Sequence, residues 1–256
     1  MLERVTPLLI TFNEAPNIVR ALEKLRWAKR IVVIDSGSLD GTCELVARFP
    51  QAELIHRPFD NFAAQCNFGL AQVRTDWVLS LDADYELSDE LLRELSALKE
   101  SPDVAGYRAS FVYRIHGRSL RGTLYPPRTV LYRVRGASYA NEGHGHRVSV
   151  PGSIQTLRGV IYHDDRKPLA RWLASQQRYA QVEAQHLLET PKQNLSRIDR
   201  IRRAGWPAPI LVLPYVLFVK GCLLDGWAGW FYALQRVLAE SMIALELLDR
   251  RIFARR

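Results

Sequence analysis

The chain predicts a doubly wound α/β fold on a mostly parallel sheet, with a C-terminal helical appendage. Short apolar runs alternate with stretches of helical spacing from residue 8 to residue 98. Polar residues gather where those runs end, the side on which open α/β sheets bind ligands. The chain beyond residue 203 turns apolar, aromatic and basic, the pattern of an amphipathic appendage.

Leu8-Leu9-Ile10-Thr11-Phe12 reads as the first strand. Asn13-Glu14-Ala15-Pro16-Asn17 carries a capping side chain, an early carboxylate and a proline, so a helix starts there. Ile18, Leu22 and Leu25 continue it. Arg30 to Asp35 is a second, β-branched strand, and the turn Ser36 to Thr42 leads to a helix marked by Leu45, Val46 and Phe49. Ala52 to Arg57 is a shorter strand, and Phe62 to Val73 is helical. Trp77 to Leu81 is an apolar strand of the buried kind that ends in Asp82-Ala83-Asp84. Ser88-Asp89-Glu90 caps a helix with Leu91, Leu92, Leu95 and Leu98 inward.

Two alternating strands follow, Ala109 to Arg114 and Thr129 to Val134, joined by the arginine-rich loop Gly117 to Arg128. Val160 to His163 is a strand ending in the polar cluster Asp164-Asp165-Arg166-Lys167. Trp172, Gln176, Tyr179 and Glu183 form a helical stripe. Residues 204–219 are apolar but interrupted by Pro207, Pro209 and Pro214. They are too short to cross a bilayer, which takes roughly 20 residues. The last helix is expected to turn Leu234, Val237, Leu238, Leu245 and Leu248 inward. The organisation predicted is 1–105 and 106–190 as two halves of one domain, and 191–256 as the appendage.

Residues 1–105 hold 11 Lys/Arg and 17 Asp/Glu, whereas 106–256 hold 24 and 10. A half with net charge +14 implies an anionic partner: nucleic acid, a phosphorylated glycan or an anionic membrane. Cys43, Cys66 and Cys222 form no metal or redox spacing, so a reducing compartment is expected. The N-terminus shows no secretion signal. No GxGxxG follows the first strand and no P-loop is present, which removes the usual dinucleotide and NTPase readings.

Asp82 and Asp84 lie two apart, so in an extended chain both point to one side. Hard oxygen ligands at that spacing suit Mg2+ or Mn2+. An acidic turn capping the next helix is the plainer alternative.

Leu9 to Glu14, Val33 to Thr42 and Leu81 to Asp84 resemble, in order, the motifs of family 2 glycosyltransferases of GT-A fold. The resemblance implies an inverting transfer from a nucleotide-sugar, a UDP-sugar first. It places Thr11, Asn13, Glu14, Asp35 and Ser38 in the nucleotide pocket, with Asp35 near the base. It puts Asp82 and Ala83 at the ribose and metal, and Asp84 on the ion. Arg57, Gln65 and Asn67 become donor contacts or parts of a capped surface helix. Arg128 belongs to a cationic rim or to a solvated hairpin loop. His163 is placed to complete the metal shell of Asp82 and Asp84.

From residue 106 the similarity narrows to lipopolysaccharide-core glucosyltransferases. There a His-Glu pair stands where this chain has Gly145-His146, so the catalytic base is expected from Glu142 first, with His144 and His146 behind it and Asp164 as a second carboxylate. The implied acceptor is a bacterial cell-surface or lipid-linked glycan at the inner face of the cytoplasmic membrane, with nucleic acid set aside. Residues 204–256 touch either that anionic membrane or a second copy of the chain. Two further readings share the donor half: a polyprenyl-phosphate glycosyltransferase, which needs no base, and a sugar-nucleotide binding protein without catalysis.

Overall fold

The computed structural model describes residues 1–142 and 145–253, and of Glu142, Gly145 and His146 the backbone alone. They divide into two units. One comprises Met1–Gly117 and Leu124–Arg166; the other comprises Arg118–Thr123 and Lys167–Arg256.

In the first unit, β1 (Val5–Thr11) is buried at every residue but Ile10, because both of its faces are covered. It lies between β2 (Ile31–Asp35) and β4 (Trp77–Asp82), parallel to both, with β3 (Ala52–His56) beyond β2. The connecting helices are α1 (Ile18–Glu23), α2 (Thr42–Val46) and α3 (Phe62–Gln72). Side chains alternate between the sheet's faces, as strand geometry requires. Leu8, Val32, Ile34 and Val78 join Leu70 of α3 in one cluster. Leu9, Val33, Leu79 and Leu81 join Ile18, Leu22 and Leu25 in the other. The parallel doubly wound half is therefore observed as expected.

The rest of this sheet is mixed. Beyond β4 come β5 (Tyr85–Leu87), α4 (Asp89–Ala97) and β6 (Val104–Ile115). The two-residue β7 (Arg118–Ser119) belongs to the other unit. Next are β8 (Arg128–Arg133), the hairpin β9 (Ser138–Glu142) and β10 (Gly145–Ser149), and β11 (Ser153–His163). The strand order is β3-β2-β1-β4-β8-β6-β11-β5. β8 runs antiparallel to β4 and β6, β11 is parallel to β6, and β5 is antiparallel to β11. β5 had no signal as a strand: three residues carry no period. Ser88 caps α4, its hydroxyl accepting from Leu91 N–H, as read from the sequence.

β11 shifts register between Thr156 and Val160. The N–H groups of Arg158 and Gly159 turn to the Glu94 carboxylate of α4, at 3.0 and 2.8 Å. Gly159 is required there, since a Cβ would stand 2.4 Å from Leu91 Cα.

The second unit is helical: α5 (Leu169–Glu189), α6 (Arg197–Ala204), α7 (Pro207–Pro214) and α8 (Trp227–Phe253). Tyr215–Val219 forms a π-helical turn after Pro214. Ala184 and Leu187 of α5 share a core with Leu195 and with Leu247 of α8. That packing draws α5 into this unit. Arg202 of α6 grips the buried Glu240 of α8 through Nε and Nη2, with Glu183 3.6 Å away. Burial works against the Arg202 charge, and the carboxylates of Glu240, Glu183 and Asp199 outweigh it, raising its pKa.

One expectation is overturned here. Leu234, Leu238, Leu245 and Leu248 point outward, and α8 buries Ala228, Tyr232, Ala233, Ala239, Ala244 and Leu247 instead. Small residues let α8 approach its neighbours closely, so its inner face is the alanine face. Among the described residues no helix is long and apolar enough to cross a membrane.

Gly159→Ala is expected to destabilise the chain by about 1–3 kcal/mol, the usual cost of overpacking. A lowered urea midpoint at unchanged slope checks it.

Candidate active site

The site grows from the carboxyl ends of the parallel strands. Register pairs Thr11 of β1 with Asp35 of β2, Asp35 with His56 of β3, and Ile10 of β1 with Asp82 of β4. Asp35 is fully buried yet surrounded by donors. Its Oδ2 accepts from the N–H groups of Gly37 and Ser38, both at 2.9 Å, and its Oδ1 from Thr11 Oγ1 at 3.0 Å and from Ser38 Oγ. Burial pushes this carboxyl up, and the hydrogen bonds from Ser38, Thr11 and Gly37 outweigh it, holding the pKa below its ordinary 3.8.

The loop around Asp35 is tied to the end of β1. Asn13 takes positive φ, 55°, a conformation asparagine tolerates better than most residues. Its N–H donates to Ser38 Oγ at 2.6 Å and its Oδ1 accepts from Leu39 N–H at 2.7 Å. Glu14 N–H donates to Thr42 Oγ1 at 2.7 Å.

The acidic end of β4 meets β11. β5 pairs with β11 so that Tyr85 stands opposite His163, and Asp164 N–H donates to Asp84 O at 3.2 Å. This brings Asp84 Oδ2 to 3.0 Å from His163 Nε2. Burial lowers the imidazole pKa, and the charges of Asp84, Asp82 and Asp165 more than reverse that, leaving it raised. Tyr113, Tyr125 and Tyr85 surround the His163 ring edge-on, at 4.6, 4.9 and 5.3 Å between centroids.

Two adjacent ligands of an octahedral ion at about 2.1 Å stand about 3.0 Å apart. The Asp84–His163 pair has that separation; its carboxylate suits Mg2+ or Mn2+, and the imidazole nitrogen favours the transition ion Mn2+ of the two. A second group, Asp35, Cys43 and His56, has its ligand atoms within 4.8 Å. It fits an ion poorly. Both Asp35 oxygens already accept two hydrogen bonds each, and burial followed by Asp35 itself raises the Cys43 thiol pKa, disfavouring the thiolate that binds metal.

Asp82 lines a cavity of about 400 Å³ together with Ser80, Tyr85, Arg128, Tyr139 and Arg147. That volume is within the range of small-molecule sites. Arg128 stacks on Tyr125, 4.7 Å from guanidinium carbon to ring centroid. Tyr139 donates to Ser80 Oγ at 2.9 Å. The edge is thus acidic at Asp82 and Asp84 and cationic across the cavity, an arrangement suited to a metal-bridged anion.

The family model for glycosyl transferase family 2 matches residues 8–153. The chain belongs to glycosyltransferase family 2. The LpsC lipopolysaccharide core biosynthesis glycosyltransferase of Rhizobium meliloti is 26% identical over 94% of this chain and 91% of its own. An uncharacterised glycosyltransferase of Rickettsia bellii is 27% identical over 74% of this chain and 69% of its own. Among solved structures, S. aureus TarS 1-349 in complex with UDP-GlcNAc aligns over 97% of this chain and 91% of that one, with a TM-score of 0.50 at 14% identity. That likeness supports the GT-A arrangement of the fold.

In this glycosyltransferase the expected residues divide into three groups. Thr11, Asn13, Ser38 and Asp35 come together in one hydrogen-bonded cluster, with Glu14 beside them. Asp84 and His163 touch, Ala83 is buried between the two acids, and Asp82 and Arg128 line the cavity.

Four other candidates have their polar groups engaged within the protein. Arg57 binds Asp60 and Gln65, and Gln65 Nε2 donates to Ser36 Oγ at 2.9 Å. Asn67 exchanges both amide hydrogen bonds with the Tyr139 backbone, at 2.8 and 3.0 Å, and so fixes the β9–β10 hairpin. Asp164 is fully buried and held by Arg20 at 3.1 Å, Arg166 at 2.9 Å and Gly117 N–H at 3.2 Å. A carboxylate clamped by two guanidiniums anchors the loop and is poorly placed to accept a substrate proton. The Glu142 and His146 side chains, and His144, lie outside what the structure describes.

Tyr85, Tyr113 and Tyr125 around His163, and Arg147 in the cavity, carried no motif. An arginine two residues outside a glycine-rich segment and isolated tyrosines gave no signal to find them by.

Asp35→Asn is expected to cost about 1–3 kcal/mol at pH 7, because it turns an amide N–H2 toward buried donors. The Asp35 pKa is lowered on folding, so its stabilisation is present above pH 3.8 and lost as pH falls through the folded value. Unfolding curves of wild type and variant should therefore converge on the acid side of pH 3.8.

Proposed function

We propose that the chain is an inverting, metal-dependent glycosyltransferase that moves a sugar from a UDP-sugar to a hydroxyl of a bacterial cell-surface glycan such as lipopolysaccharide core. The observation that carries this reading is the meeting of Asp84 and His163 two residues from Asp82, which lines a cavity together with Arg128 and Arg147. The naming of the Rhizobium relative supports the acceptor class. Its place of work on this reading is the cytoplasmic side of the membrane where such glycans are assembled.

Thr11, Ser38 and the buried Asp35 form the nucleotide end, with Asn13 and Glu14 holding its loop. Asp84 and His163 would hold the ion, with Asp82 toward the ribose, and a bound ion would supply Lewis-acid neutralisation of the diphosphate leaving group. Arg128, over the Tyr125 ring, adds a positive charge on the cavity side, where charge develops as the donor bond breaks. The Tyr139 strand carries Glu142 three residues further on. Glu142 is the base that takes the acceptor hydroxyl's proton as that oxygen attacks the anomeric carbon.

The cationic cavity also favours a second reading, in which the acceptor is a lipid phosphate. Such an acceptor is already nucleophilic and needs no base. Glu142→Gln separates the two: turnover should fall at least about 100-fold with a hydroxyl acceptor and stay near wild type with a polyprenyl phosphate.

The donor reading is checked by calorimetric titration with UDP, in Mn2+ and then in EDTA. Binding should need the metal and be lost in Asp84→Ala and His163→Ala, with turnover down at least about 100-fold. Full activity in Asp84→Ala would remove the metal assignment. Failure of UDP with success of GDP or TDP would change the donor and leave the transferase reading standing.

A further inference from the structure

The second unit turns outward apolar side chains that helices of soluble domains ordinarily bury. Trp206, Ile210, Leu211, Tyr215, Phe218 and Val219 are 43–71% exposed. They recur at steps of one, three and four through α7 and the π-helical turn, and so cover one broad side of that segment. Leu224, Trp227, Leu234, Leu238, Leu245 and Ile252 are 40–68% exposed. They lie on a seven-residue repeat along α8 and the turn before it. α7 and α8 pack against each other, so both stripes belong to one helical pair. Scattered exposed apolar residues need no explanation, but a continuous stripe of this size does.

Two occupants of stated chemistry can cover such a face: a second copy of the chain or a lipid surface. Charge decides between them. The unit holds 16 Lys and Arg against 7 Asp and Glu, so two copies brought face to face repel. The seven-residue repeat also lacks the flanking ion pairs that register a coiled coil. Ala228, Trp230, Gln235, Val237 and Met242 occupy those flanks over the first part of α8. The stripes are instead rich in tryptophan, tyrosine and phenylalanine, which favour the boundary between headgroups and acyl chains. Arg197 and Arg200 on α6 are exposed and add positive charge. α8 is about 40 Å long at 1.5 Å per residue, and no described helix is apolar enough to cross.

We propose that α7, the π-helical turn and α8 form a monotopic docking surface that lies in the plane of an anionic bilayer. The aromatic and aliphatic stripes enter the headgroup–acyl boundary, and the unit's arginines and lysines meet the phosphate headgroups. This deepens the membrane location proposed above, and it stands apart from the chemistry at Asp84.

The test is flotation of the full chain with vesicles of phosphatidylglycerol and phosphatidylethanolamine, set against phosphatidylcholine vesicles. Tryptophan fluorescence is read with brominated lipids. The chain should co-float with the anionic vesicles, and the brominated acyl chains should quench its tryptophans. Partition should weaken at least tenfold in Phe218→Asp/Leu224→Asp, with circular dichroism and metal-dependent UDP affinity unchanged. Added salt should weaken it without abolishing it, since apolar insertion is not screened.

If the double variant fails to fold, quenching of the wild type decides alone. Absence of flotation and quenching, or flotation indifferent to Phe218 and Leu224, overturns the proposal. A concentration-dependent dimer that Leu245→Asp dissociates, with no vesicle binding, assigns the face to a second copy. Vesicle binding without UDP binding would sink the donor reading and leave this one intact.

Discussion

The site depends on a short backbone pairing, that of β5 with β11. β4 runs out at Asp82, and the chain reverses through Ala83 and Asp84 into three residues of β5. Pairing with β11 then puts His163 opposite Tyr85 and closes Asp164 N–H on Asp84 O. Those bonds set the two backbones side by side, and the Asp84 carboxylate and the His163 imidazole meet across them at 3.0 Å. Arg20 and Arg166 fix the next residue, Asp164, and Asn17 donates to Asp165 at 2.9 Å. The acidic strand end, the end of β11 and the start of α1 are locked together. Preorganisation of this kind lets a transferase meet developing charge without paying for reorganisation during the reaction.

Asp35 shows the same logic at the ends of β1 and β2. An isolated buried carboxylate is expensive. Four hydrogen bonds from Thr11, Gly37 and Ser38 offset that cost: three are local to the turn after Asp35, and the fourth exists because β1 and β2 are in parallel register with Thr11 beside Asp35. Asn67 performs a corresponding task for the cavity wall, tying α3 to the backbone of Tyr139. Several polar residues near the site thus act through the geometry they impose. The polar groups that line the cavity are Ser80, Asp82, Arg108, Arg128, Thr129, Arg147, Tyr85 and Tyr139.

The two units solve the burial problem differently. The first covers both faces of its sheet and leaves few large apolar groups outside. The second holds its helices together with alanine contacts and the Arg202–Glu240 pair. It spends its leucines and tryptophans on the surface. A buried ion pair is weak evidence of stability; here the Arg202–Glu240 pair lies on the inward side of α8 with its alanines.

Much of the architecture was legible in the sequence because its causes are local. Val33-Ile34-Asp35 and Leu79-Ser80-Leu81-Asp82 are buried strands whatever surrounds them, and the polar residues after each lie at strand ends by simple counting. Asp35, Asp82 and Asp84 were therefore placed by order and spacing alone. What the sequence left open depended on groups distant in the chain. The role of Gln65 and Asn67 as braces required knowing that Ser36 and Tyr139 stand beside them. The clamp on Asp164 required Arg20, far away in sequence. The orientation of α8 was misread because leucine periodicity marks a face without saying which side is occupied; alanine packing and Glu240 decided that. The placing of carboxylates at the strand ends of this glycosyltransferase is written in its sequence, since strand period and polarity act over a few residues. The pairing of Asp84 with His163 and the outward turn of the α8 leucines belong to the tertiary structure, since each depends on contacts between elements the chain brings together only on folding.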